Sequence, residues 1–327
     1  MPRLDLSQLD RTVQELFVAG LAGSTQKAYR SGEKRFMDFC AAAALWPFPV
    51  TEQMLLAFVA FLFKEGLAAG TVKLYLAAAR HAQIALGLGD PRIASMPKLE
   101  YVMKGFRRAT STRGKRTRLP ITPTVLRKLK ASWEKLSCHE DAVMLWAASC
   151  FCFFGFLRLG EVVVPSDSLY DPEVHLNFED VRVNNRSHAQ WLEIRIKASK
   201  MDPFWQGVTV YVGVTGRWLC PVASGLAYTV QRSDWPGPLF MFKNGQALTR
   251  TRFVTALRLA LREAGVDADS YSGHSFRIGA ATTAAQHGLQ DSLIQTLGRW
   301  RSSAYTLYIR TPPSTLTAVS RMLSLCD

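Results

Sequence analysis

Apolar residues recur along the first hundred positions at the three-and-four spacing of amphipathic helices. In SQLDRTVQELFVAG, Leu9, Val13, Leu16 and Phe17 share one stripe; after the Gly23-Ser24-Thr25 break, Tyr29, Phe36, Phe39 and Cys40 form a second. TEQMLLAFVAFLFKEG and TVKLYLAAARHAQIALG continue the pattern, with Thr51 and Thr71 placed as N-caps. Four such helices predict a compact bundle-like domain over residues 1–103.

A second domain is expected from Pro120. Thr122-Pro123 supplies a cap followed by proline in the first turn, opening a helix through Leu129 and Trp133. AVMLWAASCFCFFGFLRLGEVV is apolar on nearly every face, which predicts a buried helix ending near Gly155 and then a turn carrying Arg158 and Glu161. Between residues 175 and 214 the period changes to two, in HLNFEDVRVNN, WLEIRIKASK and GVTVYVGV, the pattern of a small antiparallel sheet. Helices return near Pro221, from Thr249 to Ala264, from His274 to His287, from Asp291, and briefly around Tyr305 and Tyr308. The predicted class is mainly α with a small antiparallel β-sheet, with the second domain spanning 120–310. A tail, 311–327, carries Leu316, Val319, Met322, Leu323 and Leu325 on one helical stripe. That stripe suits packing on its own domain or on a neighbour.

Charge adds a partner to this picture. The 327 residues hold 40 Lys and Arg against 26 Asp and Glu, a formal +14, which attracts polyanions and most simply nucleic acid. KGFRRATSTRGKRTR, from Lys104 to Arg118, has seven basic residues and no acidic one. Residues 104–119 are therefore expected to link the domains, with Lys104, Arg107, Arg108, Arg113, Lys115, Arg116 and Arg118 following a DNA backbone. The six cysteines form no CxxC pair and no regular framework, and Cys150 and Cys152 lie in the apolar run, as structural thiols of a reducing compartment do. Neither a signal peptide nor a membrane span is expected. Neither ATP, dinucleotide nor metal chemistry has a motif here, so no cofactor is expected.

Four places could carry chemistry. Arg158, in GFLRLGE, suits a helix end with Glu161 as ion-pair partner, and equally a fixed fork for phosphate oxygens. His274 and Arg277, in HSFR, share a helical face, and Gly279-Ala280-Ala281 beyond them allow close packing. Lys200, in KASKMD, ends a strand, with Lys197 its near competitor. Tyr308, in YTLYIR, is a core-anchor type of residue; with a tyrosine pKa of about 10, attack at neutral pH needs positive charge nearby.

Together these residues resemble the tyrosine recombinase, or phage-integrase-like, superfamily, and the resemblance covers essentially the whole chain. GHSFRIGAAT and LGRWRSSAYTLYIR look most like the recombinases of DIRS-like and Crypton mobile elements. The resemblance implies a two-domain DNA-breaking-rejoining fold, with a helical core-binding (SAM-like) domain, a catalytic domain and a tail exchanged between protomers. It implies site-specific cleavage and rejoining of double-stranded DNA through a 3′-phosphotyrosyl intermediate, without cofactor or metal. Tyr308 would attack, Arg158 and Arg277 would clamp the phosphate, Lys200 would protonate the leaving oxygen, and His274 would contact the phosphate and help accept the tyrosine proton. Glu161 would hold Arg158 or His274. The family's His or Trp commonly stands nine residues before the tyrosine; here Arg299 has that spacing and Trp300 stands at eight, and Trp300 is preferred for its indole N–H. Tyr305 is the rival nucleophile. A homotetramer on DNA and nuclear residence are implied, with bacterial or phage-host cytoplasm the alternative location. A catalytically silent DNA-binding descendant and a topoisomerase-like relaxing enzyme are the competing functions.

Overall fold

The computed structural model describes residues 6–111, 117–185, 188–199, 202, 204–232 and 234–310. The chain divides into two compact units, Met1–Lys115 and Arg116–Asp327.

The first unit is helical: α1 (Leu6–Ala19), α2 (Gly23–Ala42), α3 (Glu52–Lys64), α4 (Ala69–Ala85) and α5 (Pro97–Ser111). Phe36, Leu55, Phe58, Leu62, Val72 and Leu76 form its core, joined by Leu99, Met103 and Phe106 of α5. Thr51 caps α3 by accepting from Met54 N, as its position predicts. Thr71 does not cap α4, which starts two residues earlier after Ala68.

The larger correction concerns the expected linker. Lys104, Arg107 and Arg108 lie on α5, because Leu99, Met103 and Phe106 sit at i, i+4 and i+7 and bury a stripe that holds the basic run helical. The three cations face solvent on the opposite side, Lys104 pairing with Glu100 at 2.7 Å. Arg118 belongs to the second unit and donates to the Asp269 carbonyl at 2.6 Å. Arg113, Lys115 and Arg116 lie outside the described residues.

The second unit is built around α7 (His139–Phe154), whose residues from Met144 to Phe153 are all buried. Packed about it are α6 (Pro123–Leu136), capped by Thr122, α9 (Pro221–Arg232) and α11 (His274–Gln286), and α10 (Arg250–Glu263), capped by Thr249, packs on α6. Strands β1 (Val181–Val183), β2 (Trp191–Ile196) and β3 (Val208–Gly213) form an antiparallel sheet in the order β1-β2-β3, with Leu192, Ile194 and Ile196 turned to the core. A short α8 (Leu159–Val162), α12 (Asp291–Leu297) and a 3₁₀ turn over Ser303–Tyr308 complete the unit. Cys150 and Cys152 are buried, and burial pushes the Cys150 thiol up to about 12. No helix among the described residues is long and apolar enough to cross a membrane.

Close approach at Gly279 fixes where α11 lies. A Cβ there would stand 1.9 Å from the Ile121 carbonyl oxygen, so α11 can meet the entering segment only through glycine. Ile121 N donates to Ser275 O at 2.9 Å along the same seam. This positions His274 and Arg277, one turn apart at the start of the helix.

Candidate active site

Two helices end in the same way on either side of Arg277. At the end of α7, Leu157 N donates back to Cys152 O and Phe156 N to Phe153 O, with Phe156 left-handed at φ 49°. At the end of α12, Trp300 N donates to Gln295 O and Arg299 N to Thr296 O, with Arg299 left-handed at φ 54°. Both are Schellman closures, and both put a side-chain-bearing residue where glycine is usual; the glycines, Gly155 and Gly298, stand one position earlier.

Arg277 joins the two ends. Its Nη1 donates to Phe156 O and its Nη2 to Gly298 O, so a fully buried guanidinium rests on carbonyls where both helix dipoles are negative. Its carbon lies 4.3 Å from the Trp300 ring centre and 6.0 Å from that of Tyr308. Nε has no partner. Burial, with Arg158 and Arg299 close by, pushes the Arg277 guanidinium down to about 9, which leaves it charged at neutral pH.

Arg158 caps α8 and is partly exposed. Its Nη1 pairs with Glu161 Oε1 at 2.9 Å, and its backbone N donates to Glu161 Oε2 at 2.9 Å. Glu161 is buried and also binds Arg299 Nη2 at 2.6 Å. It therefore holds Arg158 and Arg299, rather than His274.

Tyr308 is half-buried at the end of the 3₁₀ turn, its ring centre 4.9 Å from those of His274 and Trp300. Thr282, on α11, fixes the backbone there: its hydroxyl donates to Tyr308 O and accepts from Arg310 N, both at 3.1 Å. Partial burial of the His274 ring, with Arg277, Arg158, Arg250 and Arg310 around it, holds its pKa below 6.5 and keeps it neutral near pH 7. Tyr305 is directed elsewhere: its hydroxyl donates to Asp291 Oδ2 at 3.0 Å, a carboxylate contact that raises its pKa.

The fold thus brings together Arg158, Glu161, His274, Arg277, Trp300 and Tyr308, which are spread over 150 residues of sequence. Lys200 lies outside the described residues, and Lys197 is committed to a 2.5 Å ion pair with Asp180. In the free protein the terminal nitrogens of Arg277 hold backbone carbonyls and its surface is covered. The sequence weighs Arg299 only as a rival to Trp300 and gives no sign of its bond to Glu161, and it gives no sign of the part played by Thr282. Among the described residues no His, Cys, Asp and Glu group could hold a metal ion.

No protein-family model matches the chain. A curated relative, the integrase/recombinase xerD homolog of Selenomonas ruminantium, is 26% identical over 291 residues, covering 86% of this chain and 79% of the relative. Among solved structures, XerH site-specific recombinase bound to its difH substrate before cleavage aligns with a TM-score of 0.59 at 15% identity, over 90% of this chain and 78% of that one. The lambda integrase dimer bound to a COC′ core site gives 0.53 at 15% identity, over 93% and 76%. The Tn1549 transposon integrase in complex with transposon right-end DNA gives 0.54 at 13%, over 95% and 99%. The chain shares its fold with these recombinases and integrases.

Proposed function

We propose that this chain is a site-specific DNA recombinase that cleaves and rejoins duplex DNA through a phosphotyrosyl intermediate. The observation that carries the reading is the convergence of a tyrosine, a histidine and two arginines on one α11-centred site. Tyr308 Oη forms a bond to phosphorus as the bond from phosphorus to the 5′-oxygen breaks, leaving a 3′-phosphotyrosyl chain end and a 5′-hydroxyl. His274 receives the phenol proton, which its depressed pKa allows near pH 7. Arg158 supplies the accessible fork for the nonbridging oxygens, and Arg277 stabilises developing negative charge from beneath the tyrosine. Direct contact between Arg277 and phosphate requires the groups covering it to shift. Trp300 supports Arg277 and Tyr308 by ring packing, and its buried indole N–H is without a partner. Lys200 is assigned protonation of the leaving 5′-oxygen. Attack of a 5′-hydroxyl from another strand reverses the chemistry and completes exchange, with the phosphodiester energy conserved and no cofactor consumed.

The relatives act on DNA as recombinases and integrases, one of them a transposon integrase bound to transposon-end DNA, and this supports duplex DNA as the partner here. A tetrameric synapse, an exchanged tail over 311–327, a mobile-element source and nuclear residence belong to the same reading. Its test is a denaturation-resistant adduct on nicked duplexes tiled across the DNA flanking its own gene. The adduct is expected in wild type and Tyr305→Phe and lost in Tyr308→Phe. Salt-dependent duplex binding without any adduct would instead indicate a silent descendant. Relaxed circles without recombinant junctions would indicate a relaxing enzyme.

A further inference from the structure

We infer that Arg299 is a positioning residue: through Glu161 it fixes the direction of Arg158 and ties the Arg158 turn to the segment that carries Tyr308. The inference rests on the recombinase reading for its consequence in catalysis, and on the free protein for its geometry.

Glu161 is the junction. Its side chain is 3% exposed, and its two carboxylate oxygens receive Arg158 Nη1, Arg158 N and Arg299 Nη2 at 2.9, 2.9 and 2.6 Å. Arg158 is the more accessible of the two arginines, and this carboxylate is the hydrogen-bond partner of its guanidinium. The carboxylate in turn is held from the far side by Arg299. A buried carboxylate with one cation removed must repack, and the remaining cation moves with it.

A second set of bonds runs in parallel. Arg299 Nη1 lies 3.5 Å from Gly155 O, and Arg277 Nη1 donates to the next carbonyl, Phe156 O. Arg277 Nη2 returns to Gly298 O, beside Arg299 itself. The turn after α7 and the turn after α12 are thus bridged by two arginines on successive peptide units. Movement of one turn displaces the other.

The backbone explains why this residue can act as the bridge. At φ 54°, Arg299 and Trp300 diverge: Trp300 folds back across Gly298, where a Cβ would stand 1.6 Å from its ring, and Arg299 runs to Glu161. A glycine at 299 would relieve the left-handed conformation and lose the pair. The strained position is occupied by the side chain that closes the ion-pair chain, which is the pattern expected where local strain serves a site. Arg299 is also poorly placed to be a phosphate ligand. Its terminal nitrogens meet Glu161 and the Gly155 carbonyl and its side chain is less exposed than that of Arg158, while the one carboxylate that the two arginines share leaves the cluster, Arg277 included, in excess positive charge.

Two measurements test this. In the free protein, the Arg158 guanidinium ¹⁵N signal, assigned by its loss in Arg158→Ala, is expected to be sharp in wild type and broadened in Arg299→Met. An unchanged signal overturns the proposal whatever the protein does to DNA. On nicked duplex, single-turnover cleavage by Arg299→Met is expected to slow roughly 10- to 100-fold, the range for loss of a group that orients a ligand. Arg299→Lys should recover part of that loss. The double variant Arg158→Ala/Arg299→Met should lose no more than Arg158→Ala alone, because one residue acts through the other. Losses that multiply, or an Arg299→Met rate within about twofold of wild type, refute the bridge. Should Arg299→Met not fold, Arg299→Lys and Glu161→Gln enter the same NMR comparison and the same cycle with Arg158→Ala. Wild type that forms no adduct on any duplex refutes the recombinase reading, and the NMR arm still decides the bridge.

Discussion

Arg232 and Arg277 are both buried arginines in the second unit, and they are surrounded in opposite ways. Arg232, at the end of α9, spends its donors on one loop: Nη2 reaches Trp235 O at 2.8 Å, Pro238 O at 3.2 Å and Met241 Sδ at 3.1 Å, while Nε reaches Leu239 O at 3.3 Å. Its neighbours are acceptors. Arg277 has two carbonyls, an Nε without a partner, two aromatic rings, and two further arginines close enough to lower its pKa. The first arginine spends its Nε and Nη2 on the fold. The second holds its loops in place and retains a donor and an excess of positive charge, the arrangement suited to an anion that arrives from outside.

That contrast is broken most severely by Arg277→Lys, which keeps the charge and removes the fork. Adduct formation should fall about 100- to 1000-fold, read as a single-turnover cleavage rate on nicked duplex. The matching change, Arg232→Met, should instead cost about 2 to 4 kcal/mol of stability in a denaturant titration, because several buried carbonyls lose their donor. Cleavage per folded molecule should stay within about twofold. Equal catalytic losses in both would remove the distinction.

A smaller effect should appear in the pH dependence. Partial burial of His274, with the arginines around it, holds its folded pKa below 6.5, so the unfolded chain takes up the proton first as pH falls. The stability contribution is present above 6.5 and is lost on acidification towards the folded value. Cleavage should follow the neutral imidazole, with its acid limb below 6.5. Arg250→Gln removes one repelling charge and should move that limb upward, as a rate profile from pH 5 to 8 would show. The smallest change is expected from Arg107→Gln/Arg108→Gln on the exposed face of α5. Duplex affinity should weaken for all sequences alike, and the salt dependence of log K should become shallower by about 2 if both meet phosphates.

Much of the fold was legible because one periodicity dominated each segment. The apolar α7, the alternating β2 and β3, the caps at Thr51 and Thr122 and the helix opening at Thr249 have local causes, and each stands where the pattern puts it. Lys104–Ser111 was obscured by its charge: seven cations between Lys104 and Arg118 outweighed the stripe of Leu99, Met103 and Phe106 beneath their first three members. The site was legible as residue types in order, while its wiring was not. Arg299 and Trp300 compete for one role on a spacing argument, yet a left-handed turn between them sends the two side chains to different partners. No spacing rule encodes that divergence, since it depends on a helix ending at Gly298 and on a carboxylate 138 residues away.

Thr282 has a mechanical consequence. In the proposed intermediate the DNA end hangs from Tyr308, and tension in the duplex becomes a pull on the main chain at that residue. The threonine hydroxyl grips that chain at Tyr308 and again at Arg310, and passes the load into α11. The same helix carries His274 and Arg277. A strained duplex therefore drags anchor and catalytic groups as one body, and the joint stays aligned for rejoining while it is under load.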